Sequence, residues 1–505
     1  MGNVIQSITA AGTGGMIVDI ECRLSNNLPN IVIVGFANRA VGEARERIRG
    51  AFATSRIMLP RKRIAVNLAP ADVPKADSGF DLAIAVAILL ASGQVSRQID
   101  KQQAFIGELG LDGSVRGVRG LIGRLLTGRS KGITTFYIPA SNVSQAQLVP
   151  KITLVPIESL AQLHGHLSSG LPITSVKTGA GRYAPAKTAR ATKVRLSDIV
   201  GQIQAKRALE IAAAGGHNLL LSGPPGTGKT MLARALQSLL PPLNREEVLE
   251  VTQLHSLAGH DYEQLVNERP FRAPHHSSSR LAIIGGNRPG EISLAHRGVL
   301  FCDELPEFER QTLEALRQPL EDRVISVARG GKEITDYPAN FILVATANPC
   351  PCGYHDTSAG KCRCHEYEIL RYHRRLSGPI LDRIDLYAGV HEVQHDKLLA
   401  RATAQTDRAV RQRIEQARAR QAKRYANPTQ LNADMTNDDI KKLGHLEESA
   451  AALLNAAAGR LNISARAYMR CVKVARTIAD LQDSAIITPA HISEALAYRR
   501  PAPKE

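Results

Sequence analysis

Eight consecutive residues, Gly223, Pro224, Pro225, Gly226, Thr227, Gly228, Lys229 and Thr230, have the types and spacing of a phosphate cradle. An apolar run (218–222) precedes them and a helical pattern (231–240) follows. In a strand–loop–helix of this kind, backbone N–H groups converge on phosphates and the helix N-terminus favours negative charge. Lys229 is then placed to reach the β/γ-phosphates of ATP, and Thr230 to hold Mg²⁺. A chance match in a chain with 40 glycines is the competing reading. A second motif argues against it. The apolar run 298–302 ends in two adjacent acids, Asp303 and Glu304. Asp303 can orient Mg²⁺ through its hydration shell, and Glu304 can polarise an attacking water. Together the two motifs point to nucleoside triphosphate hydrolysis.

Further along, residues 341–348 read as a buried strand ending in Asn348. A third strand beside the acidic one would put that amide near the attacking water, where a γ-phosphate sensor belongs. Four cysteines lie just beyond, Cys350 and Cys352, then Cys362 and Cys364. Two such C-x-C knuckles facing each other give a tetrahedral sulfur site that suits structural Zn²⁺. His355 and His365 are alternative ligands, and four reduced thiols in a loop are the bland alternative. The remaining cysteines, Cys22, Cys302 and Cys471, sit in apolar segments and read as core residues.

These motifs need elements to hold them. A length of 505 residues suggests about three domains. Residues 1–173 alternate strand-like and helical runs, an α/β module. Residues 174–195 spread Lys177, Arg182, Lys187, Arg190, Lys193 and Arg195 among Gly, Ala, Thr and Pro without an acid, and read as a mobile basic linker. Residues 196–394 carry the ATPase motifs, and residues 395–505 read as helical. Near 466–481, Met469, Val472, Ala475 and Ala479 fall on one face at spacings of three and four.

Two stretches, 280–294 and 323–334, each flank a Gly-rich turn with apolar runs, and each is expected to form a hairpin. Arg329 and Lys332 bracket the second turn and suit a phosphate backbone. Sixty-four Lys+Arg against 47 Asp+Glu leave a formal charge of +17, which favours an anionic partner, nucleic acid before membrane. The longest apolar run, 82–91, is too short to cross a bilayer. The first residues lack a signal-peptide pattern, and Gln6 stands where a myristoylation site needs Ser or Thr. A cytoplasmic location is therefore expected. Residues 408–424 hold seven Lys/Arg and one acid, which fits either a DNA-facing helix or a solvated face. Only 4% of residues are aromatic, so base stacking is not expected.

The order of phosphate loop, Asp-Glu pair, Asn348 and residues 381–385 (Leu-Asp-Arg-Ile-Asp) resembles the magnesium-chelatase-like branch of the AAA+ ATPases. By that resemblance Arg383 is the finger that enters a neighbouring subunit's ATP site. Residues 464–470 resemble the second sensor, with Arg466 first and Arg470 as the alternative. The two expected hairpins stand where related ring helicases line their pore. The whole chain resembles the ComM/YifB family, on residues 67–72, 78–82, 107–111, 271–276 and 348–353. The resemblance implies an N-terminal Lon-protease/S5-like α/β domain, a central AAA+ P-loop α/β domain and a C-terminal helical lid. It also implies a hexameric DNA helicase that drives branch migration in natural transformation and recombination, on single-stranded, branched or recombinase-bound DNA. Within the Lon-like segment the position of the nucleophile falls on Ser78 and that of its lysine partner on Ile122, which cannot take a proton. A protease fold without peptidase activity is therefore expected. A chelatase-type ATPase that remodels a protein or inserts a metal is the alternative function.

Overall fold

Strands alternate buried and exposed positions where one sheet face is solvated and are buried throughout where both faces are covered. Both patterns occur in this computed structural model, which describes residues 4–11, 13–34, 39–70, 78–96, 99–179, 194–259, 265–329, 333–355, 362–375, 378–393 and 405–499. The chain divides into two units, Met1–Pro185 with Asn244–Asn267, and Ala186–Leu243 with Glu268–Glu505.

The first unit is α/β. Its strands are β1 (Val4–Ala11), β2 (Gly14–Ser25), β3 (Asn30–Val34), β4 (Arg63–Ala69), β5 (Gln103–Phe105), β6 (Glu108–Leu109), β7 (Val115–Arg116), β8 (Thr135–Pro139), β9 (Thr153–Ile157) and β10 (Val176–Lys177). Eight form one mixed sheet in the order β10-β9-β8-β5-β1-β2-β4-β3, while β6 and β7 pair separately. The helix Asp81–Ala91 is apolar on every side after its first residue and buried from Asp81 to Leu90. Asp81 is tolerated there because Arg47 donates to both its oxygens, at 2.6 and 3.1 Å, and the Leu109 amide adds a third bond at 3.2 Å. Burial pushes the Asp81 carboxyl up to about 6 against the pull of that guanidinium. Ser78 donates its hydroxyl to Glu108, and Ile122 is fully buried in the helix Leu121–Ser130.

The second unit is built on five parallel strands, β11 (Leu219–Ser222), β12 (Phe271–Arg272), β13 (Val299–Cys302), β16 (Ile342–Ala347) and β17 (Leu386–Gly389), in the order β12-β13-β16-β11-β17. Between β13 and β16 in sequence, β14 (Val324–Arg329) and β15 (Glu333–Pro338) pair antiparallel as a separate hairpin. Both β13 and β16 are buried along their whole length. One apolar core joins them to the helices Ile203–Gly215, Lys229–Leu239, Gln405–Tyr425 and Ala465–Leu481. Val472, Ala475 and Ala479 of the last helix are buried as its spacing predicts, and Met469 is half-buried.

One expectation is corrected. Residues 280–294 are not a hairpin but two short helices, Arg280–Ile284 and Glu291–Leu294. Ser279 caps the first by accepting the Ala282 amide at 3.2 Å, and only the Gly285–Pro289 bridge survives of the expected pairing. At the start of the expected linker, Val176 and Lys177 pair with Leu154 and Thr153 of the first sheet. Arg182, Lys187, Arg190 and Lys193 lie outside the described residues. Within residues 196–394 one helix groups with the first unit. The helix Arg245–Ala258 folds with the first unit, where Ser256 accepts the Gly120 amide at 2.9 Å and Arg245 reaches the Leu148 carbonyl at 2.9 Å.

Candidate active site

Adjacent parallel strands deliver their carboxyl ends to one edge, and ligands of open α/β sheets bind there. The phosphate loop follows β11, the acids follow β13 and Asn348 follows β16, and these three strands are neighbours in the order β13-β16-β11. Chain order alone had suggested this adjacency, and the register fixes it: Ser222 lies opposite Ala347, and Cys302 opposite Ala345.

The loop keeps its shape for two different reasons. Gly226 and Gly228 have φ of 79° and 87°, a region side chains disfavour, which turns successive amides the same way. Gly223 is constrained by space instead, since a Cβ there would lie 2.1 Å from the Val390 carbonyl oxygen. Thr227 closes the loop by donating to the Pro224 carbonyl at 2.8 Å. Gly228 leads directly into the helix Lys229–Leu239.

Lys229 is buried and spends its three donors on the Gly223 carbonyl (2.5 Å), the Pro224 carbonyl (2.8 Å) and Asn348 Oδ1 (3.0 Å). Burial draws its ammonium below the usual lysine range, against the pull of Asp303 and Glu304. The Asn348 amide nitrogen points the other way, 3.5 Å from Glu304 Oε1. One side chain therefore links the cation that would meet the phosphates to the carboxylate that would activate water. Thr230 Oγ1 lies 3.5 Å from Asp303 Oδ2. A hydroxyl and one carboxylate are the hard oxygen donors Mg²⁺ takes beside phosphate and water, so the residues present fit that ion.

Sequence reasoning missed Thr346. Fully buried, it donates to Asp303 Oδ1 at 2.6 Å and accepts the Glu304 amide at 2.8 Å. Glu304 itself sits at φ 52°, a strained value for a side-chain-bearing residue, and the Thr346 bond helps hold it there. The signal was a lone polar residue inside an apolar run. Tyr372, on the helix Glu366–Arg375, was also missed; its hydroxyl accepts the Asn348 amide at 3.3 Å.

Arg383 and Arg466 gather elsewhere, around Glu321. Arg383 pairs with that carboxylate, donates to the Pro379 carbonyl and is only 9% exposed. Arg466 is 71% exposed and lies 3.9 Å from the same carboxylate. The Arg383 hydrogen bond and the charges of both arginines hold the Glu321 carboxyl below the usual range. Among the described residues no hydrogen bond or ion pair joins this cluster to Lys229, Glu304 or Asn348. Arg470 instead braces the chain around Arg383, bonding the Ile384 carbonyl at 2.7 Å and the Leu381 carbonyl at 3.3 Å.

The four cysteines converge. The Sγ atoms of Cys350, Cys352, Cys362 and Cys364 all lie within 4.8 Å of one another, at 3.3 Å for Cys350–Cys352 and 3.8 Å from each of these to Cys362. None is in a disulfide. A tetrahedron with Zn–S bonds of about 2.3 Å has edges of about 3.8 Å, so the set is the size zinc needs. Amides of Arg363 and Tyr354 pull the Cys352 thiol down to about 6, while desolvation and the neighbouring sulfurs push the Cys362 and Cys364 thiols up.

The β14–β15 hairpin forms as expected, with Arg329 opposite Glu333 at its end and Ile334 largely exposed. The side chain of Arg329 and all of Lys332 lie outside the described residues. The basic helix Gln405–Tyr425 turns much of its charge inward: Arg413 pairs with Glu210 at 2.7 Å, Arg418 donates to the Ala213 carbonyl at 2.7 Å and Arg424 pairs with buried Asp480. Those contacts hold the helix in place. No helix among the described residues is long and apolar enough to cross a membrane.

Comparison with known proteins agrees with this geometry. The family described as magnesium chelatase, subunit ChlI, matches residues 195–398, its C-terminal counterpart matches 404–499, and the subunit ChlI family of Mg-chelatase matches 20–142. YifB of Escherichia coli is 41% identical over 504 residues, covering 98% of this chain and 97% of the relative. The competence protein ComM of Haemophilus influenzae is 42% identical over 509 residues, again 98% and 97%. A 67 kDa magnesium-chelatase subunit of Heliobacterium mobile is 29% identical over 238 residues, 38% of this chain and 35% of that one. Full-length identity, all three family matches and an assembled phosphate-loop site agree that the chain belongs to the ComM/YifB family of magnesium-chelatase-like AAA+ ATPases.

Proposed function

We propose that this chain is an ATP-driven DNA motor that works as a ring, hexameric in the reading adopted here, and promotes branch migration during uptake and recombination of DNA. The link of Lys229 to Glu304 through Asn348 is the observation that carries the motor half of the reading. In this scheme the loop 223–230 and Asp303 hold ATP and Mg²⁺, Glu304 activates water and Asn348 reports the γ-phosphate. Arg383 leaves Glu321 to complete a neighbour's site, and Arg466 follows nucleotide state from the helical lid. The hairpin β14–β15, with Arg329 and Lys332, grips the phosphate backbone of single-stranded or branched DNA, including DNA bound by a recombinase. The excess of basic residues, and the likeness to a competence protein, support DNA as the track. The N-terminal unit acts as a Lon-like fold without peptidase chemistry, Ile122 standing where a lysine would be needed. The cysteine set holds Zn²⁺, and the protein works in the cytoplasm.

A second reading, a chelatase-type ATPase acting on a protein or on metal insertion, is supported by the partial likeness to the 67 kDa subunit. Strand displacement from a labelled three- or four-way junction, with and without ATP, separates the two. ATP-dependent displacement with DNA-stimulated hydrolysis is expected. Hydrolysis indifferent to DNA, with junctions left intact, would move the assignment to the second reading.

A further inference from the structure

We propose that the four-cysteine centre is a support for the γ-phosphate sensor, so that ATP turnover depends on the metal it holds. The inference rests on the readings of the cysteines as a zinc site and of Asn348 as the sensor, and it goes beyond both by coupling them.

Three contacts carry it. Cys350 lies two residues after Asn348 in the chain, buried, so two of the four sulfurs anchor the sensor's outgoing end. Cys364 lies two residues before the helix Glu366–Arg375, and that helix returns Tyr372 to the sensor, whose amide donates to the buried tyrosine's hydroxyl at 3.3 Å. The chain thus leaves Asn348, passes through all four sulfurs and comes back to the Asn348 backbone. The third contact joins this loop to the phosphate cradle. Gly353, turned at φ 85°, lies so close to Pro225 that a Cβ on it would come 2.6 Å from Pro225 Cδ.

A metal bound by four thiolates cross-links the two halves of that loop. Without it, the described link between the halves is a set of thiol contacts, and the Tyr372 hydroxyl and Gly353 lose their common fixed point. The Asn348 carboxamide must meet Lys229 on one side and Glu304 on the other, so a displacement of its backbone uncouples both bonds. Supporting contacts of this kind typically change activity about 10- to 100-fold. The effect belongs in kcat, because the loop amides that grip the phosphates remain.

The test uses full-length protein purified without chelator. Metal analysis is expected to give one zinc per chain, and the Co²⁺-substituted protein should show thiolate-to-metal charge-transfer absorption. Zinc removal by an organomercurial, and separately Cys364→Ser, should lower kcat about tenfold or more while the affinity for a fluorescent ATP analogue is kept. Tyr372→Phe keeps all four sulfurs and should lower kcat with one zinc still bound, and it serves if the cysteine variants fail to fold. Asn348→Ala is the reference, and its effect should not add to that of zinc removal. Absence of zinc and of the charge-transfer band would overturn the metal reading and the coupling with it. Zinc present, with metal-free protein and Tyr372→Phe turning over at the parent rate while Asn348→Ala does not, would overturn the coupling alone. Full turnover by Asn348→Ala would overturn the sensor assignment on which both stand.

Discussion

Replacing Thr346 by valine removes one hydroxyl without changing the shape of the residue. That hydroxyl makes two bonds at a fully buried position, to Asp303 at 2.6 Å and from the Glu304 amide at 2.8 Å. The first is charge-assisted, worth about 1.5–3 kcal/mol; the second leaves an amide without its partner, costing about 1–3 kcal/mol. Glu304 is also held at φ 52°, and once that amide is released the backbone can relax toward ordinary values by about 1–3 kcal/mol. The two lost bonds lower stability, and the released strain offsets part of that loss. The share that misplaces Glu304 and Asp303 in the transition state is expected to be about 2–3 kcal/mol, which is roughly 30- to 150-fold in kcat. Affinity for nucleotide measured without Mg²⁺ should change little, because the bonds of Thr346 run to Asp303 and Glu304 and not to the phosphate loop. Steady-state ATPase assays beside equilibrium binding of a fluorescent ATP analogue measure both quantities. Thr346→Ser, which keeps the hydroxyl, should recover most of the rate. A folded Thr346→Val protein with kcat within twofold of the parent would refute the argument that this bond positions the carboxylate proposed to activate water.

Glu304→Gln should bind ATP and assemble but release no phosphate, since a carboxamide cannot take a proton from water; single-turnover phosphate release checks it. Lys229→Ala and Arg383→Ala should each be inactive alone and partly active when mixed, because a mixed interface can pair an intact loop with an intact guanidinium; no recovery on mixing would place Arg383 outside a shared site. Replacing both Arg329 and Lys332 by alanine should weaken DNA binding for all sequences alike and flatten the log–log salt dependence by about 1.4–1.8, the loss of two phosphate contacts.

Much of the nucleotide site was legible because its residues act through local spacing. A glycine loop between strand and helix, and acids at a strand end, carry their chemistry in the order of the chain. The β14–β15 hairpin was legible for the same reason, as apolar runs on both sides of a glycine pair. Residues 280–294 looked similar, but the Ser279 cap with the Ala282 amide tipped the first run into a helix. Thr346 and Tyr372 act across strand and helix boundaries, so their roles depend on which elements become neighbours. The attachment of the helix Arg245–Ala258 to the N-terminal unit is of the same kind: its partners Gly120 and Leu148 lie 136 and 97 residues away in sequence from the groups they meet. Arg383 was found through likeness to a family, and the sequence carried no sign that Glu321 would hold it.

The 2.1 Å gap between a virtual methyl on Gly223 and the Val390 oxygen also bears on biosynthesis. The wall behind the phosphate loop is made by β17, whose Leu386 pairs with Leu219, residues separated by most of the ATPase block. A nascent chain that has released the loop but not yet residue 390 has no such wall. Nucleotide therefore meets a finished cradle only after the ribosome has passed that point, and C-terminal truncations between Asn348 and Val390 should lose ATP binding even though the loop 223–230, Asp303 and Glu304 are present.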